Sequence, residues 1–446
     1  MTSLRLDVIQ GNIVPGFCTD YQALLLLRFP HRAAANTWLR LIQPHVTSAR
    51  QVVDATLGTS HGDPTEPVWT NVGFAWRGLQ RLGSPQIERF STAFREGLRQ
   101  RATRLGDGDD PTIARWQIGG TEDTEADALL LLAADQQQAL QARLHRETAR
   151  IVDLGVQHLA IYDGASLPGQ LRGHEHFGFR DGLSQPLIRG LATPPNVSPD
   201  EEAIAAGEFV LGYPDESGGV PDDAPDWAGD GSFLVFRRLQ QHVAAFRQML
   251  AREAARVGLT PQQLSAKMMG RWPSGAKLGS PLEERDPGVS DPRTAEVVRS
   301  DFCADPKGER VPRFAHIRKA RPRDFAPEIV NRRRLIRRAI PYGTPLPEGV
   351  TRDDGHDRGL LFLAYQANIA RQFEHIQREW LRNPSFPHLS DGPDPLFGAA
   401  DTKRPVCLQH NGAVHRVGIE QYVTVTGGGY FFVPSIPALH QLVAAR

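Results

Sequence analysis

Short, continuous runs of apolar residues, bounded by polar or turn-forming positions, mark the first half of the chain. Two of them are QALLLLRFP at Gln22–Pro30 and DALLLLAA at Asp127–Ala134. Runs of this length, flanked in this way, are typical of strands that are buried on both faces. The segments Thr70–Phe74 and Val156–Tyr162 are predicted to complete a set of four strands.

Helical periodicity fills the gaps between these four strands. Helices are predicted over Arg32–Ile42, Trp76–Leu82, Pro85–Arg99 and Gln136–Arg150. In outline the resulting order is β-α-β-β-α-β, which is the order of a ferredoxin-like module.

The same order returns in the second half of the chain, with longer insertions. The predicted strands of this half are Ser232–Leu239, Leu335–Ile340, Leu360–Tyr365 and Tyr422–Val433. The last is predicted as a hairpin or a closing strand because three consecutive glycines interrupt it. A helix is predicted over His242–Val257. A second helix is predicted from an apolar stripe with spacings of 4, 3 and 4, formed by Ile369, Phe373, Ile376 and Trp380.

The pattern therefore predicts an α+β fold of two ferredoxin-like modules, each an antiparallel sheet with flanking helices. We place the N-terminal module at residues 1–170 and the C-terminal module, with its long loop insertions, at residues 171–446. Two loops, Tyr213–Gly231 and Gly279–Arg313, fit neither module. Loops this long in a compact domain are more often functional than accidental.

Charge and composition exclude several classes of function. The 446 residues carry 51 basic and 51 acidic side chains, so the chain has no surplus of positive charge for nucleic acid. No apolar run is long enough to span a membrane, and the first residues lack the pattern of a signal peptide, which predicts a cytoplasmic protein. Cys18, Cys303 and Cys407 form neither a disulfide framework nor a CxxC metal site.

The segment Gly173–Gln185, GHEHFGFRDGLSQ, is the most turn-rich polar stretch. Asp181 stands between Gly178 and Gly182, which permits either an ordinary Asx-turn or a carboxylate close to a flat ligand. His174 and His176 alternate and would share one face of a strand. They could bind a metal, although the absence of further ligands nearby favours an ordinary polar loop.

Two further segments combine charge with apolar residues. His316 follows apolar residues and precedes basic ones in RFAHIRKARPR, so it is either a structural histidine or an iron ligand beside arginines that bind cofactor carboxylates. In RRRLIRRAIPYG, Arg337 and Arg338 would point to opposite sides of a strand. The one that faces inward requires an anionic or polar partner.

These motifs together resemble the dye-decolorizing peroxidases, which are haem enzymes with a double ferredoxin-like fold. The sequence GFRDG at Gly178–Gly182 matches the GxxDG motif of that family, and AHIRK and an RxxIPYG motif follow downstream in the expected order. Further similar blocks are IQGNI, EFVLGYPDE, GRWPSG and GLLFLAYQAN. The resemblance covers nearly the whole chain and is greatest to the larger members of the family.

The resemblance implies a role for each matching position. Asp181 corresponds to the distal acid–base, Arg337 to the distal arginine, with Arg338 as the competing assignment, and His316 to the proximal iron ligand. Arg323 corresponds to an arginine that contacts a haem propionate, and Leu360 and Phe362 correspond to apolar residues over the distal haem. Asp394 corresponds to the acid that accepts a hydrogen bond from the proximal histidine.

By the same resemblance the protein is a peroxidase that binds one haem b per chain, mainly in the second module. It would use hydrogen peroxide to oxidise dyes, phenolic compounds or other aromatic reductants through a ferryl intermediate, and it could form a homo-oligomer. One alternative is a haem-binding or iron-handling protein with little turnover, which needs His316 but neither Asp181 nor Arg337. Another is a ferredoxin-like binding domain without a cofactor, which leaves all three residues unexplained.

Overall fold

A computed structural model describes residues 3–58, 68–191, 203–289, 302–387, 392–398 and 405–444. Eleven strands lie within these ranges. In chain order they are β1 Tyr21–Arg28, β2 Trp69–Phe74, β3 Ala128–Ala134, β4 Gln157–Ala165, β5 Ser232–Gln241, β6 Ile336–Arg337, β7 Ile340–Tyr342, β8 Gly359–Gln366, β9 Val406–His410, β10 Ala413–Val417 and β11 Val423–Val433.

Nine of the strands form one antiparallel sheet, in which each half of the chain contributes a ferredoxin-like set. The first half has the order β4-β1-β3-β2 and the second has β11-β5-β8-β6, with β7 also paired to β8. Strands β2 and β11 join the two sets through the pair Phe74 and Phe432. The remaining strands, β9 and β10, form a separate hairpin. The predicted α+β fold with two ferredoxin-like modules is confirmed.

The helices pack around this sheet. They are α1 Arg32–Ile42, α2 Ala49–Thr56, α3 Trp76–Leu82, α4 Thr92–Ala102, α5 Asp110–Ile113, α6 Gln137–Asp153, α7 Val243–Val257, α8 Pro261–Met269, α9 His316–Ala320, α10 Pro327–Asn331 and α11 Ile436–Ala444, with π-helical segments at Ala370–Glu374 and Ile376–Leu381. Short 3-10 turns lie at Gln43–His45, Ile87–Arg89, Glu122–Thr124, Gly169–Leu171, Ala206–Glu208 and Asp226–Ala228. Within the described ranges, no helix has both the length and the apolar composition needed to cross a membrane.

Alternation along the strands builds an apolar cluster on each face of the sheet. In β1, Leu24 and Leu26 belong to one cluster, whereas Leu25 and Leu27 belong to the other, and all four are fully buried. This two-sided burial explains why β1 and β3 are continuous apolar runs in the sequence. The end strands of the sheet also meet, because Gly164 of β4 packs against Ile340 of β7.

Several predicted elements differ from those observed. Pro85–Arg99 is not one helix: Gln86 has a left-handed φ of 55° and a 3-10 turn precedes α4. The predicted strand Leu335–Ile340 is interrupted at the position where the Arg338 side chain turns to the N-terminal segment. The segment Tyr422–Val433 is a single closing strand with a bulge, and not a hairpin. Residues 290–301 of the predicted loop Gly279–Arg313 lie outside the described residues.

Candidate active site

A cavity of about 270 Å³ lies against the second strand set. Its apolar wall includes Leu239 of β5 together with Leu360 and Phe362 of β8, which share one face of that strand as predicted. The opposite walls come from the segment that contains Asp181, from α9 and from the π-helical segments. Of the seven site residues predicted from the sequence, six line this cavity, and Asp394 lies directly behind His316.

His316 begins the short helix α9 and presents its ring to the cavity, with 21% of its side chain accessible. The Nδ1 atom donates a hydrogen bond to Oδ2 of Asp394 at 2.8 Å. This bond places the ring proton on Nδ1 and leaves the lone pair of Nε2 for a metal. Burial lowers the pKa of His316, but attraction to Asp394 and the hydrogen bond outweigh burial, so the pKa is raised above its usual value.

Asp394 is fully buried and its carboxylate is fixed from both ends. Oδ1 accepts hydrogen bonds from the backbone N–H groups of Leu396 and Phe397, both at 2.8 Å. The Asp394 N–H in turn donates to the carbonyl of Leu381 at 2.7 Å. The acceptor for His316 is therefore held by the backbone.

The basic residues directly after His316 do not reach the cavity. Arg318 is buried and donates to Asp324 and to the carbonyls of Asp305 and Val311. Lys319 is also buried, and its Nζ donates to the carbonyls of Asn383, Phe386 and Gly392 at 2.7–2.9 Å. These two cations hold backbone in place, whereas Arg321 and Arg323, later in the same basic run, line the cavity.

Asp181 lies on a loop on another side of the cavity and is exposed. Its Oδ1 accepts from the N–H of Gly182 at 2.6 Å, and its own N–H donates to the carbonyl of Gly173 at 3.0 Å. Gly178 and Gly182 have φ values of 96° and 76°, which a residue with a side chain rarely adopts. The two glycines therefore set the turn that presents the carboxylate.

The two candidate arginines point in opposite directions. Arg337 lines the cavity together with Leu335 and Ala339, its neighbours at a spacing of two. Its backbone is paired with the side chain of Gln185: the Arg337 N–H donates to Oε1 at 3.1 Å, and Nε2 donates to the Arg337 carbonyl at 2.8 Å. Arg338 instead donates to the carbonyls of three residues of the N-terminal segment, Asn12, Ile13 and Pro15.

Positive charge is concentrated on the cavity wall. Arg323 and Arg321 both donate to Oγ of Ser184, at 3.2 and 3.1 Å. The arginines that line the cavity are Arg180, Arg237, Arg271, Arg321, Arg323, Arg333, Arg334 and Arg337, and the carboxylates are Glu175 and Asp181. A ligand that carries carboxylates would offset this excess.

The donor set fits a haem. His316 offers an imidazole nitrogen whose orientation is fixed by a buried acid, which is the usual arrangement of an iron-ligating histidine. Leu360 and Phe362 provide an apolar wall for a flat macrocycle, and Arg323 lies among the cations that suit its propionates. The Nε atom of Arg180 is buried and has no hydrogen-bond partner within the described structure, so this wall can accept a further polar ligand.

His174 and His176 do not share a strand face, because turns at Gly173 and Gly178 place them in a loop. His174 donates from Nδ1 to the Arg172 carbonyl, and His176 donates from Nε2 to the Tyr342 carbonyl. Within the described residues, no group of three or more His, Cys, Asp or Glu side chains is arranged to hold a metal ion.

Sequence reasoning missed three residues that shape the cavity. Glu175 and Gln185 flank Asp181 in the chain, but their partners are distant in sequence. Arg237 is 1% exposed and forms an ion pair with the buried Asp107. The signal for Arg237 was present in SFLVFRRL, because a charged residue within a buried strand requires a buried partner.

Comparison with known proteins agrees with this geometry. Residues 8–172 match the protein family described as DyP dimeric alpha+beta barrel domain, and residues 214–386 match the family described as Dyp-type peroxidase, C-terminal. Peroxidase 2 of Mycetinis scorodonius is 32% identical over an alignment of 466 residues, gaps included, that covers 99% of this chain and 88% of the relative. Multifunctional dye peroxidase DyP2 of Amycolatopsis sp. is 31% identical over an alignment of 468 residues, gaps included, that covers 98% of this chain and 96% of the relative.

Solved structures give the same result along the full length. An ancestral D-type dye decolorizing peroxidase is 32% identical and matches with a TM-score of 0.85, covering 100% of both chains. A fungal DyP-type peroxidase from Auricularia auricula-judae is 28% identical and matches with a TM-score of 0.83, also over 100% of both chains.

Proposed function

The chain belongs to the dye-decolorizing peroxidases, haem-dependent enzymes that oxidise reducing substrates with hydrogen peroxide, and from that premise we propose roles for its cavity residues. His316 is the iron ligand, Asp394 its hydrogen-bond acceptor, Asp181 the acid–base group and Arg337 the guanidinium that acts beside it. The observation that carries this proposal is that one cavity is lined by a histidine with a buried acid behind it, a loop carboxylate and a strand arginine, from four separate segments.

Haem, when bound, supplies the redox chemistry by taking two oxidising equivalents from hydrogen peroxide and passing them to the reductant. Asp181 accepts the proton from one oxygen of the peroxide and returns it to the oxygen that departs. A carboxylate within hydrogen-bond reach can contribute about 10²–10⁴-fold to such a step. Arg337 offsets the negative charge that develops on the departing oxygen, at a position fixed by Gln185.

On the other side, Asp394 holds the proton of His316 on Nδ1 and keeps Nε2 directed to the cavity. A carboxylate acceptor increases the basicity of a ligating imidazole. Arg323 is proposed to bind a haem propionate, and Leu360 and Phe362 to exclude water from the reacting peroxide.

The test is the replacement Asp181→Asn, which keeps the size of the side chain and removes the base. Stopped-flow mixing with hydrogen peroxide, followed at the Soret band, should show a rate about 10²-fold lower, with haem content unchanged. The exposed Asp123, which lies outside the cavity, provides the control variant Asp123→Asn. Equal rates in wild type and Asp181→Asn would leave Arg337 as the principal catalyst.

The cofactor is proposed to be haem b, one per chain, which a pyridine haemochrome assay against protein concentration would test. The alternative, a haem-binding or iron-handling protein with little turnover, has no use for Asp181 and Arg337 beside His316. The division into modules at residues 1–170 and 171–446, a homo-oligomer and a cytoplasmic location stay predictions. Limited proteolysis, light scattering and cell fractionation would test them in turn.

A further inference from the structure

Glu175 is a buried carboxylate that the mechanism above does not use. It lies six residues before Asp181 and also lines the cavity, and it is 9% exposed. Its Oε2 accepts from the N–H of Phe177 and its Oε1 accepts from the N–H of Phe179, both at 2.9 Å. The Glu175 backbone closes the same turn, because its N–H donates to the Phe179 carbonyl and its carbonyl accepts from Gly178, again at 2.9 Å.

The same carboxylate connects this turn to the sheet. Nε2 of Gln241, at the end of β5, donates to Oε2 of Glu175. The turn that leads into Asp181 is therefore tied by one side chain to the strand that forms the opposite wall of the cavity. After Asp181, Gln185 ties the outgoing end of the loop to Arg337.

The partners of Glu175 differ from those of Glu147, a buried glutamate outside the cavity wall. Glu147 of α6 is 1% exposed and pairs with two guanidinium groups, those of Arg143 and Arg150, at 2.9 and 3.0 Å. Glu175 accepts instead from two backbone N–H groups and one amide. Burial raises the pKa of Glu175 to about 7, against the three hydrogen bonds, which lower it. A buried carboxylate held in this way is costly, and such costs are typical of functional sites.

We propose that Glu175 is a positioning residue for the peroxidase reaction: it fixes the Phe177–Asp181 turn so that the Asp181 carboxylate is presented to peroxide. The inference rests on the proposed role of Asp181. It assigns Glu175 no contact with the substrate and no proton transfer of its own.

Replacing Glu175 by Gln tests this directly. The carboxylate offers acceptor oxygens on both sides, and a backbone N–H points at each of them. Whichever way the amide of Gln is turned, its NH₂ group meets one of these N–H groups, so one bond to the turn is lost. The turn should then sample other conformations, and Asp181 should spend less time in place.

The measurement is a double-mutant cycle on the rate of reaction with hydrogen peroxide, using wild type, Glu175→Gln, Asp181→Asn and the double variant. Glu175→Gln should lower the rate about 10-fold in the wild-type background and have no effect in the Asp181→Asn background. The kcat/KM for the reducing substrate should change in neither background. Glu147→Gln is the matched control, a buried carboxylate outside the cavity wall, and it should leave the peroxide rate unchanged.

A second readout does not depend on activity. Hydrogen–deuterium exchange of the peptide that spans residues 174–185 should become about 10-fold faster in Glu175→Gln, whereas exchange in β5 and β8 should not change. If Glu175→Gln fails to fold, Glu175→Asp replaces it, because this variant keeps the charge but shortens the side chain by one methylene. The lower peroxide rate and the faster exchange should both appear, with smaller magnitudes.

The outcomes separate this inference from the proposed function. If Asp181→Asn reacts at the wild-type rate, the proposed role of Asp181 is wrong. If Asp181→Asn is slow but Glu175→Gln reacts at the wild-type rate with unchanged exchange, the positioning role is wrong. If Glu175→Gln lowered the rate with peroxide equally in both backgrounds, Glu175 would have a general structural role, and the positioning role would again be wrong.

Discussion

The His316 side and the Asp181 side of the cavity are built in opposite ways. On the His316 side, the acid behind the ring is fully buried, and the neighbouring Lys319 is fully buried as well. On the Asp181 side, the carboxylate is exposed on a glycine-flanked loop, and that loop is held by side-chain hydrogen bonds of Glu175 before Asp181 and of Gln185 after it.

This difference follows from what each side has to do. An iron ligand must keep one position and one protonation state, which a closed, buried network provides. An acid–base group must exchange protons with peroxide and solvent, so it must stay accessible. We therefore expect substitutions on the His316 side to affect cofactor retention and stability, and substitutions on the Asp181 side to affect rate alone.

The largest effect is expected from His316→Ala, which removes the ligand itself. Haem content and peroxidase activity should both be lost, since Asp394 alone offers no imidazole nitrogen to iron. The measurement is the Soret absorbance per chain after purification with added haem. His174→Ala serves as the control, because His174 lies in a loop and bonds to the carbonyl of Arg172. Normal spectra in His316→Ala would refute the assignment of the iron ligand.

The next largest effect should separate Arg337 from Arg338. Arg337→Leu should slow the reaction with peroxide about 10²–10³-fold while haem stays bound, because it removes a preorganised donor. Arg338→Leu should leave the rate per bound haem unchanged but lower the free energy of unfolding by about 2–4 kcal/mol, because three carbonyls lose their donor. Stopped-flow kinetics and urea denaturation measure the two effects. The opposite result would mean that Arg338 is the distal arginine.

The sequence predicted this pair of arginines because alternation along a strand is a local property. Strands β6 and β7 are interrupted between Arg337 and Ile340, yet both pair with β8 in a single register, so alternation continues across the gap. Alternation also predicted the shared face of Leu360 and Phe362, and another local signal, the continuous apolar run, predicted the buried strands β1 and β3.

Contacts between distant segments could not be predicted in this way. The role of Glu175 depends on its hydrogen bond from Gln241, and the role of Lys319 depends on carbonyls more than 60 residues further along the chain. The basic run after His316 suggested that nearby arginines bind cofactor carboxylates, but Arg318 is buried within the protein, and only Arg321 and Arg323 of the run's arginines line the cavity. The packing of α9 and of the residues after it determines which of these cations are buried in the protein and which line the cavity.

A smaller effect on the reaction is expected from Asp394→Asn. If the amide oxygen accepts from His316, the NH₂ group meets the N–H groups of Leu396 and Phe397, so the negative charge is lost and the ring is held less firmly. Loss of such an outer partner typically costs 10–100-fold in metal affinity or activity. Haem titration and the reduction potential of the iron measure the effect, and the potential should rise. An unchanged potential would show that Asp394 has only a packing role.

The smallest effect on the reaction, and the sharpest test of the comparison, is expected from Lys319→Met. The methionine keeps an apolar stem of similar length but removes three hydrogen bonds to the carbonyls of Asn383, Phe386 and Gly392. Because these carbonyls are left without their donor, the free energy of unfolding should fall by about 2–5 kcal/mol. The rate with peroxide per bound haem should change less than threefold, since no group that contacts peroxide has moved.

Asp181→Asn should show the reverse, a slow reaction with a free energy of unfolding within about 0.5 kcal/mol of the wild type, as expected for an exposed side chain. Urea denaturation and stopped-flow kinetics on both variants decide the matter. If Lys319→Met slowed the peroxide reaction as much as Asp181→Asn, the two sides would be mechanically coupled, and the separation of stability from rate would be wrong.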